Sequence, residues 1–224
     1  MLNFHDLAQK YAKIALNDKG LEKFQVLADF LINENKKFNL TAIRDQDGIY
    51  LKHFLDSLTL NLAVEEIAKK DRSFDLGKVR IVDFGSGAGF PALPLAIVFP
   101  ETQIVAVESI GKKCRFIEAA SKELSLSNLK VVQSRVEDLP NKQISGFEVV
   151  TCRAVTRLPK LIEYTMPILK KGGYFIAMKN EERLEEEIRA SEEMMKKFSG
   201  KITKRIKVMI PELSQRELVI IQKI

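Results

Sequence analysis

Cysteine and histidine are scarce here: the 224 residues hold two cysteines, Cys114 and Cys152, and two histidines. Two thiols so far apart form neither a metal-ligand spacing nor a disulfide framework, which points to a reducing, cytoplasmic setting. There is no His/Asp cluster, so no metal is expected. Long apolar runs are missing too, and the nearest candidate, residues 91–100, falls well short of the roughly 20 residues that cross a bilayer. No membrane partner is expected. Asp6, Lys10, Lys13 and Asp18 interrupt the start of the chain, which argues against the apolar segment of a signal peptide. No internal repeat or low-complexity segment stands out.

What is present is enough for one full α/β domain with an elaboration, since 46% of the residues are hydrophobic. The net charge of +6 and a pI near 9.2 suit a polyanionic partner without establishing one. The organising stretch is residues 79–91, Val-Arg-Ile-Val-Asp-Phe-Gly-Ser-Gly-Ala-Gly-Phe-Pro. It reads as a buried strand rich in β-branched residues, then a glycine turn that lets a ligand approach the backbone, then a helix start at Pro91. The dinucleotide fingerprint Gly-x-Gly-x-x-Gly is not met, because the third glycine falls one position early at Gly89 and Phe90 stands where glycine is required. That mismatch argues against a nicotinamide or flavin. Gly-x-Gly-x-Gly after a strand ending in Asp83 is similar to the first motif of S-adenosylmethionine-dependent methyltransferases. Three glycines also make a tight connection in any α/β domain, so the weight falls on Glu108, which closes the next strand about 20 residues on, where a ribose-binding carboxylate belongs.

Apolar residues at helical spacing, Phe4, Leu7, Ala8, Tyr11 and Ile14 and then Leu21, Phe24, Leu27, Ala28 and Leu31, predict two N-terminal helices. A third carries His53-Phe54-Leu55-Asp56-Ser57-Leu58 and continues to about Lys69. Residues 1–70 are thus expected to form a helical cap, joined by a polar linker to a Rossmann-like domain over 71–224. Strands are predicted at 79–84, 103–107, 129–133, 147–152 and 173–178, with helices at 91–99, 112–124, 158–169 and 181–198. An antiparallel pair, 204–210 and 217–223 around Pro211 and Glu212, completes an expected seven-stranded, mostly parallel sheet with helices on both faces.

Ligands in such sheets bind beyond the carboxyl ends of the strands, which nominates Asp83, Gly85, Ser86, Gly87, Gly89 and Phe90, then Glu108 and Ser109, then residues 134–138, then 152–155. Val136 offers backbone and apolar surface to an adenine, and Glu137 or Asp138 an acceptor. Arg153 is read either as a contact to cofactor or substrate or as a structural partner of Glu137 or Asp56. After the fourth strand there is no Asn-Pro-Pro-Tyr or Asp-Pro-Pro-Tyr, which would hold an exocyclic amino group, and no Pro-Cys that would supply a thiol nucleophile. Cys152 reads as a small buried residue. An acceptor for a methyl group should therefore be nucleophilic while neutral, as a guanine ring nitrogen is.

With these residues in place, nearly the whole chain resembles the glucose-inhibited division protein B family of bacterial methyltransferases. Asn39-Leu40-Thr41, the His53 to Leu58 run, the Asp83 to Pro91 run, Glu108-Ser109 with Lys112-Lys113, the Ser134 to Asp138 run and Cys152-Arg153-Ala154 look like its successive motifs in order. The resemblance implies a class I, Rossmann-like fold, S-adenosyl-L-methionine as cofactor, and methylation of a guanine N7 in 16S ribosomal RNA. It maps cofactor contacts to Gly85, Phe90, Val136, Glu137 and Arg153, with Glu108 as the ribose carboxylate. It also implies RNA-facing roles for Arg135, Lys179 and Arg216. No residue is expected to act as a catalytic base; Arg135, Arg153 and Lys179 are the candidates for positioning. The expected partner is 16S ribosomal RNA or the small ribosomal subunit, met by a monomer. Ala92 stands where the family often has glycine and Asn180 where it usually has Lys-Gly. A small-molecule or protein methyltransferase of the same fold, or a non-catalytic RNA-binding module, stays open as an alternative, though the intact glycine loop with Glu108 weighs against the last.

Overall fold

The structure is a computed structural model that describes residues 3–140, 144–153, 155–210, 213 and 215–224. It begins with α1 (Phe4–Ala12) and α2 (Asp18–Phe38). Asn3 and Asn17 cap their N-termini, each side chain accepting a backbone N–H. Lys13 and Asn39 end them in the left-handed conformation, so Ile14 falls just past the first helix rather than inside it. The third helical stretch starts earlier than its periodicity suggests. Asp45 caps α3 (Gln46–Ile49), and the chain continues through a π-helical turn, Tyr50–Leu55, into α4 (Asp56–Leu58) and α5 (Leu60–Lys70).

The sheet follows as β1 (Arg80–Phe84), β2 (Gln103–Glu108), β3 (Leu129–Gln133), β4 (Phe147–Arg153), β5 (Leu169–Asn180), β6 (Gly200–Val208) and β7 (Arg216–Lys223). Their spatial order is β3-β2-β1-β4-β5-β7-β6. The first five strands run parallel and β7 lies antiparallel between β5 and β6, giving the expected seven-stranded sheet. The direction of winding reverses between β1 and β4, and that switch point is where a crevice opens in such sheets.

Strand alternation sorts the core into two layers. Ile81, Ile104, Ile176 and Ile220 share one buried cluster with the cap residues Phe24, Leu27, Phe54 and Leu58. Helices α6 (Ala92–Val98) and α7 (Gly111–Glu123) join that face, so the cap is a layer of the sheet's own core. Val82, Val150, Phe175 and Val219 face the other way, against α8 (Leu158–Thr165) and Leu184 of α9 (Leu184–Ala190).

Two expected helices are shorter than their patterns. Pro167 follows α8 by two residues, so the helix stops at Thr165 and β5 begins at Leu169. The stretch 181–198 divides into a 3₁₀ turn, α9 and α10 (Glu192–Lys197), and at the break between the two helices the Ser191 hydroxyl donates to the Glu187 carbonyl at 2.6 Å, a bond that bends helices. Pro211, Glu212 and Ala154, named from the sequence, lie outside the described residues.

Candidate functional site

β1 delivers the chain to the switch point and the glycines turn it back. The Gly85 and Ser86 amides donate to the Val107 carbonyl at 2.8 and 3.1 Å, which fastens the loop to β2. Gly85 has φ +67°, and a Cβ there would lie 2.6 Å from Val155 Cγ2; at Gly89, φ +84°, it would lie 2.5 Å from Leu93 Cδ1. Both positions therefore require glycine. Asp83 is wholly buried beneath the loop, where its Oδ2 accepts the Ala92 amide at 3.1 Å, and Ser86 Oγ donates to the Asp83 carbonyl at 2.8 Å. Burial pushes the Asp83 carboxyl up to about 7. Asp83 and Ser86 thus brace the loop from inside.

Glu108 ends β2 beside the loop. Its Oε2 accepts the Gly87 amide at 2.9 Å and its Oε1 accepts the Ile110 amide at 2.9 Å and the Ser109 hydroxyl at 3.4 Å. The residue is buried, and it touches the cavity wall through Gly87. The Ser134 amide donates to the Glu108 carbonyl at 3.1 Å, which brings the end of β3 alongside. There Val136 opens a buried 3₁₀ turn, with Glu137 and Asp138 exposed.

The cap closes the other side. A cavity of about 600 Å³ has one wall of Gly85, Ser86, Gly87 and Phe90 and another of Thr41, His53, Arg153 and Arg216. Behind that second wall lies a network around Asp56, which is wholly buried. Arg153 donates to Asp56 Oδ2 at 2.8 Å and to the Lys52 carbonyl at 2.8 Å. Arg216 Nε lies 2.7 Å from Asp56 Oδ1, but its N–H is not aimed at the oxygen, so this is an ion pair without a hydrogen bond. A second Arg153 nitrogen lies 3.1 Å from His53 Nδ1, and Thr41 Oγ1 lies 2.8 Å from His53 Nε2. Because a guanidinium only donates, Nδ1 must accept, and the ring proton sits on Nε2, directed to Thr41. Burial, reinforced by the charge of Arg153, lowers His53 to about 3, so the imidazole is neutral. The ring stacks on Phe90 at 4.5 Å with planes 3° apart.

The structure brings Gly85, Ser86, Gly87, Phe90 and Arg153 together around one cavity, and Glu108 joins it through its bond to Gly87. Of the two partners weighed for Arg153, it takes Asp56. Arg135 is exposed and outside the cavity. Lys179 is held by Glu187 at 2.7 Å and the Thr156 carbonyl at 2.9 Å, and its side chain is only 14% exposed. Arg216 is tied to Asp56 and, at 3.2 Å, to Asn180. The Cys152 thiol is buried and pushed well above its usual range by that burial. Among the described residues no group of three or more His, Cys, Asp or Glu could hold a metal, and no helix is long and apolar enough to cross a membrane. Sequence reasoning left out Thr41 and the Lys52 carbonyl as members of the site; the only available signal was their position in short polar runs that precede or lie within the cap helices.

The family model described as rRNA small subunit methyltransferase G matches residues 20–219. The chain is 39% identical over 222 residues to the ribosomal RNA small subunit methyltransferase G of Desulfitobacterium hafniense, covering 97% of this chain and 87% of that protein. The Staphylococcus carnosus protein of the same name is 37% identical, with 94% and 85% covered. Among solved structures, Aeropyrum pernix fibrillarin, crystallised with natively bound S-adenosyl-L-methionine, superposes with a TM-score of 0.54 over 71% of this chain and 74% of its own, at 12% identity. That likeness is one of fold.

Proposed function

The chain belongs to the GidB family of rRNA small subunit methyltransferases, and on that premise we propose that it moves a methyl group from S-adenosyl-L-methionine to N7 of a guanine in 16S ribosomal RNA. The cofactor fits the residues present. Gly87 offers backbone with no side chain in the way, since a Cβ there would meet nothing closer than 4.0 Å. Glu108 would take the ribose hydroxyls, with Ser109, Val136 and Glu137 on the adenine side and Phe90 and Arg153 toward the methionine end. Gly89 shapes the turn and Asp83 fixes the helix that follows. When bound, the cofactor supplies an electrophilic sulfonium methyl.

The carrying observation is that, among the described residues, no side chain lining the cavity is a free base or nucleophile. His53 is neutral with both nitrogens engaged, and the Cys152 thiol and Asp83 are buried outside the cavity. An acceptor that had to lose a proton would find no group among the described residues to take it. A guanine N7 lone pair needs none, so catalysis reduces to holding that nitrogen in line with the methyl and excluding water. The cations Lys52, Lys113 and Arg216 at the cavity suit a phosphodiester backbone. On this reading the enzyme works as a cytoplasmic monomer on the small subunit or its RNA. Labelled methyl transfer to 16S RNA and to small-subunit particles, followed by nucleoside analysis, tests it; label on a ribose or an exocyclic amino group would overturn the acceptor assignment.

A further inference from the structure

The helical cap lines the cavity with Leu40, Thr41, Ile43, Lys52 and His53, and among the described residues His53 is its one aromatic ring there. His53 sits in the π-helical turn Tyr50–Leu55, the widened turn that also carries Lys52 and directly precedes Asp56. Three of its contacts leave the cap's own helices. Its face lies flat on Phe90 of the glycine loop, its Nδ1 accepts from Arg153 at the end of β4, and its Nε2 reaches Thr41 in the loop before α3. Thr41 is itself fixed, since its amide donates to Asn35 Oδ1 at 2.9 Å and its hydroxyl accepts the Ile43 amide at 3.2 Å. Arg153 lies over the same Phe90 ring, 5.8 Å from its centroid. Loop, arginine and cap are therefore locked to one another at His53.

We propose that His53 is a positioning residue for methyl transfer: through Nδ1 it sets the guanidinium of Arg153 in the cavity, and through its stack it sets Phe90, so that the cap and the cofactor loop present one rigid wall to the acceptor base. The inference rests on the methyltransferase reading above. A histidine with a merely structural role would fill space and satisfy polar atoms, and its loss would appear as lost stability. A positioning histidine acts on the rate through Arg153. The orientation matters because only the Nε2–H tautomer offers Arg153 an acceptor; the other would turn an N–H toward the guanidinium.

The test compares single-turnover rates on 16S RNA with saturating S-adenosylmethionine. His53→Phe keeps an aromatic face for Phe90 but loses both nitrogens. It is expected to bind the cofactor within about threefold of the parent and to transfer the methyl about 10- to 100-fold more slowly, the scale of a slightly misplaced reacting geometry. His53→Asn has a side-chain oxygen where Nδ1 stands and is expected to recover most of that rate despite losing the stack. In an Arg153→Ala background, His53→Phe should cost little more, because the group through which it acts is gone. Thr41→Val, which leaves the ring in place but removes the acceptor of its Nε2–H, should also slow transfer. Should His53→Phe fail to fold, imidazole nitrogen NMR of the parent, with only His5 and His53 to assign, carries the test: Nδ1 unprotonated and Nε2 protonated from about pH 5 to 8 is expected. A parental rate in His53→Phe, an Asn variant as slow as the Phe variant, full independent losses in the double variant, or the reverse tautomer overturns the proposal. A parent that transfers no methyl to guanine in the same assay would instead overturn the functional reading itself.

Discussion

Arg153, the last residue of β4, and Asp56, the first residue after the π-helical turn, meet at 2.8 Å and join the two halves of the chain across the catalytic crevice. The carboxylate is wholly buried, and the side chains of its partners Arg153 and Arg216 are 12% and 18% exposed, so little water is on hand to solvate either charge. Asp56→Ala would leave two guanidinium groups facing each other without a counter-charge. The expected cost is about 3–5 kcal/mol of stability, as for removal of one member of a buried ion pair. Urea unfolding checks it, and a loss under about 1 kcal/mol would mean the pair is far better hydrated than its burial implies.

Glu108 holds the glycine loop, because it accepts the Gly87 amide. Glu108→Ala is expected to weaken S-adenosylmethionine binding by about 1–3 kcal/mol while leaving RNA affinity nearly unchanged. Glu108→Gln, which keeps one acceptor oxygen, should lose less. Calorimetric titration of the two variants against the parent decides this; cofactor affinity unchanged in the Ala variant would remove Glu108 from the ribose site.

The basic residues expected from the sequence to face RNA should now behave differently from one another. Arg135 is exposed, so Arg135→Ala should lower the slope of log RNA affinity against log salt by about one, because one fewer phosphate is neutralised and one fewer counterion released. Lys179 is bound to Glu187, and Leu158 donates its amide to the same carboxylate at 2.8 Å. Lys179→Ala should therefore lower stability and leave the salt slope alone. Filter binding across a salt series, together with melting curves, separates the two outcomes, and a slope change of about one for Lys179→Ala would place it on the RNA.

Two buried groups give stability opposite dependences on pH. Burial raises Asp83 from 3.8 to about 7, so its contribution is full below the unfolded value and is lost as pH rises toward 7. Burial, with the Arg153 charge, lowers His53 from 6.5 to about 3, so its contribution is full above the unfolded value and is lost as pH falls toward 3. Between about pH 4.5 and 6.5 the two oppose each other, each by up to roughly 1.4 kcal/mol per pH unit. Relative to the parent, Asp83→Asn should gain stability as pH rises through this window and His53→Phe should lose it. Denaturant midpoints at three pH values check the signs, and parallel curves for all three proteins would show that neither group titrates as its burial demands.

Catalysis should be nearly independent of pH. If a neutral acceptor meets a site with no free base among its described residues, the single-turnover rate at saturating RNA is expected to be flat within about twofold from pH 6.5 to 8.5. Cys152→Ala should keep that rate. Asp83 is the site group with its titration in this range, so any inflection near 7 should vanish in Asp83→Asn. A unit-slope rise that persists in that variant would reveal a base at work elsewhere in the site.

The sequence alone determined the sheet and the glycine turn beside Glu108, because both depend on short-range signals. β-branched runs set β1, β2 and β4; the glycines from Gly85 to Gly89 follow from backbone freedom within five residues; and Glu108 is read from its distance along one β-α-β unit. Helix ends were less legible where a side chain bonds its own helix backbone at the break, as Ser191 does. The acceptor side of the site could be decided only by the tertiary structure. His53, Asp56, Arg153 and Arg216 come from the cap, the middle and the end of the chain, and no local pattern tells whether an arginine at a strand end meets a ligand, a phosphate or a buried carboxylate. That choice depends on desolvation: once the cap packs on the sheet face and water is excluded around Asp56, the uncompensated charge has to be paired, and only the fold determines which arginines are within reach.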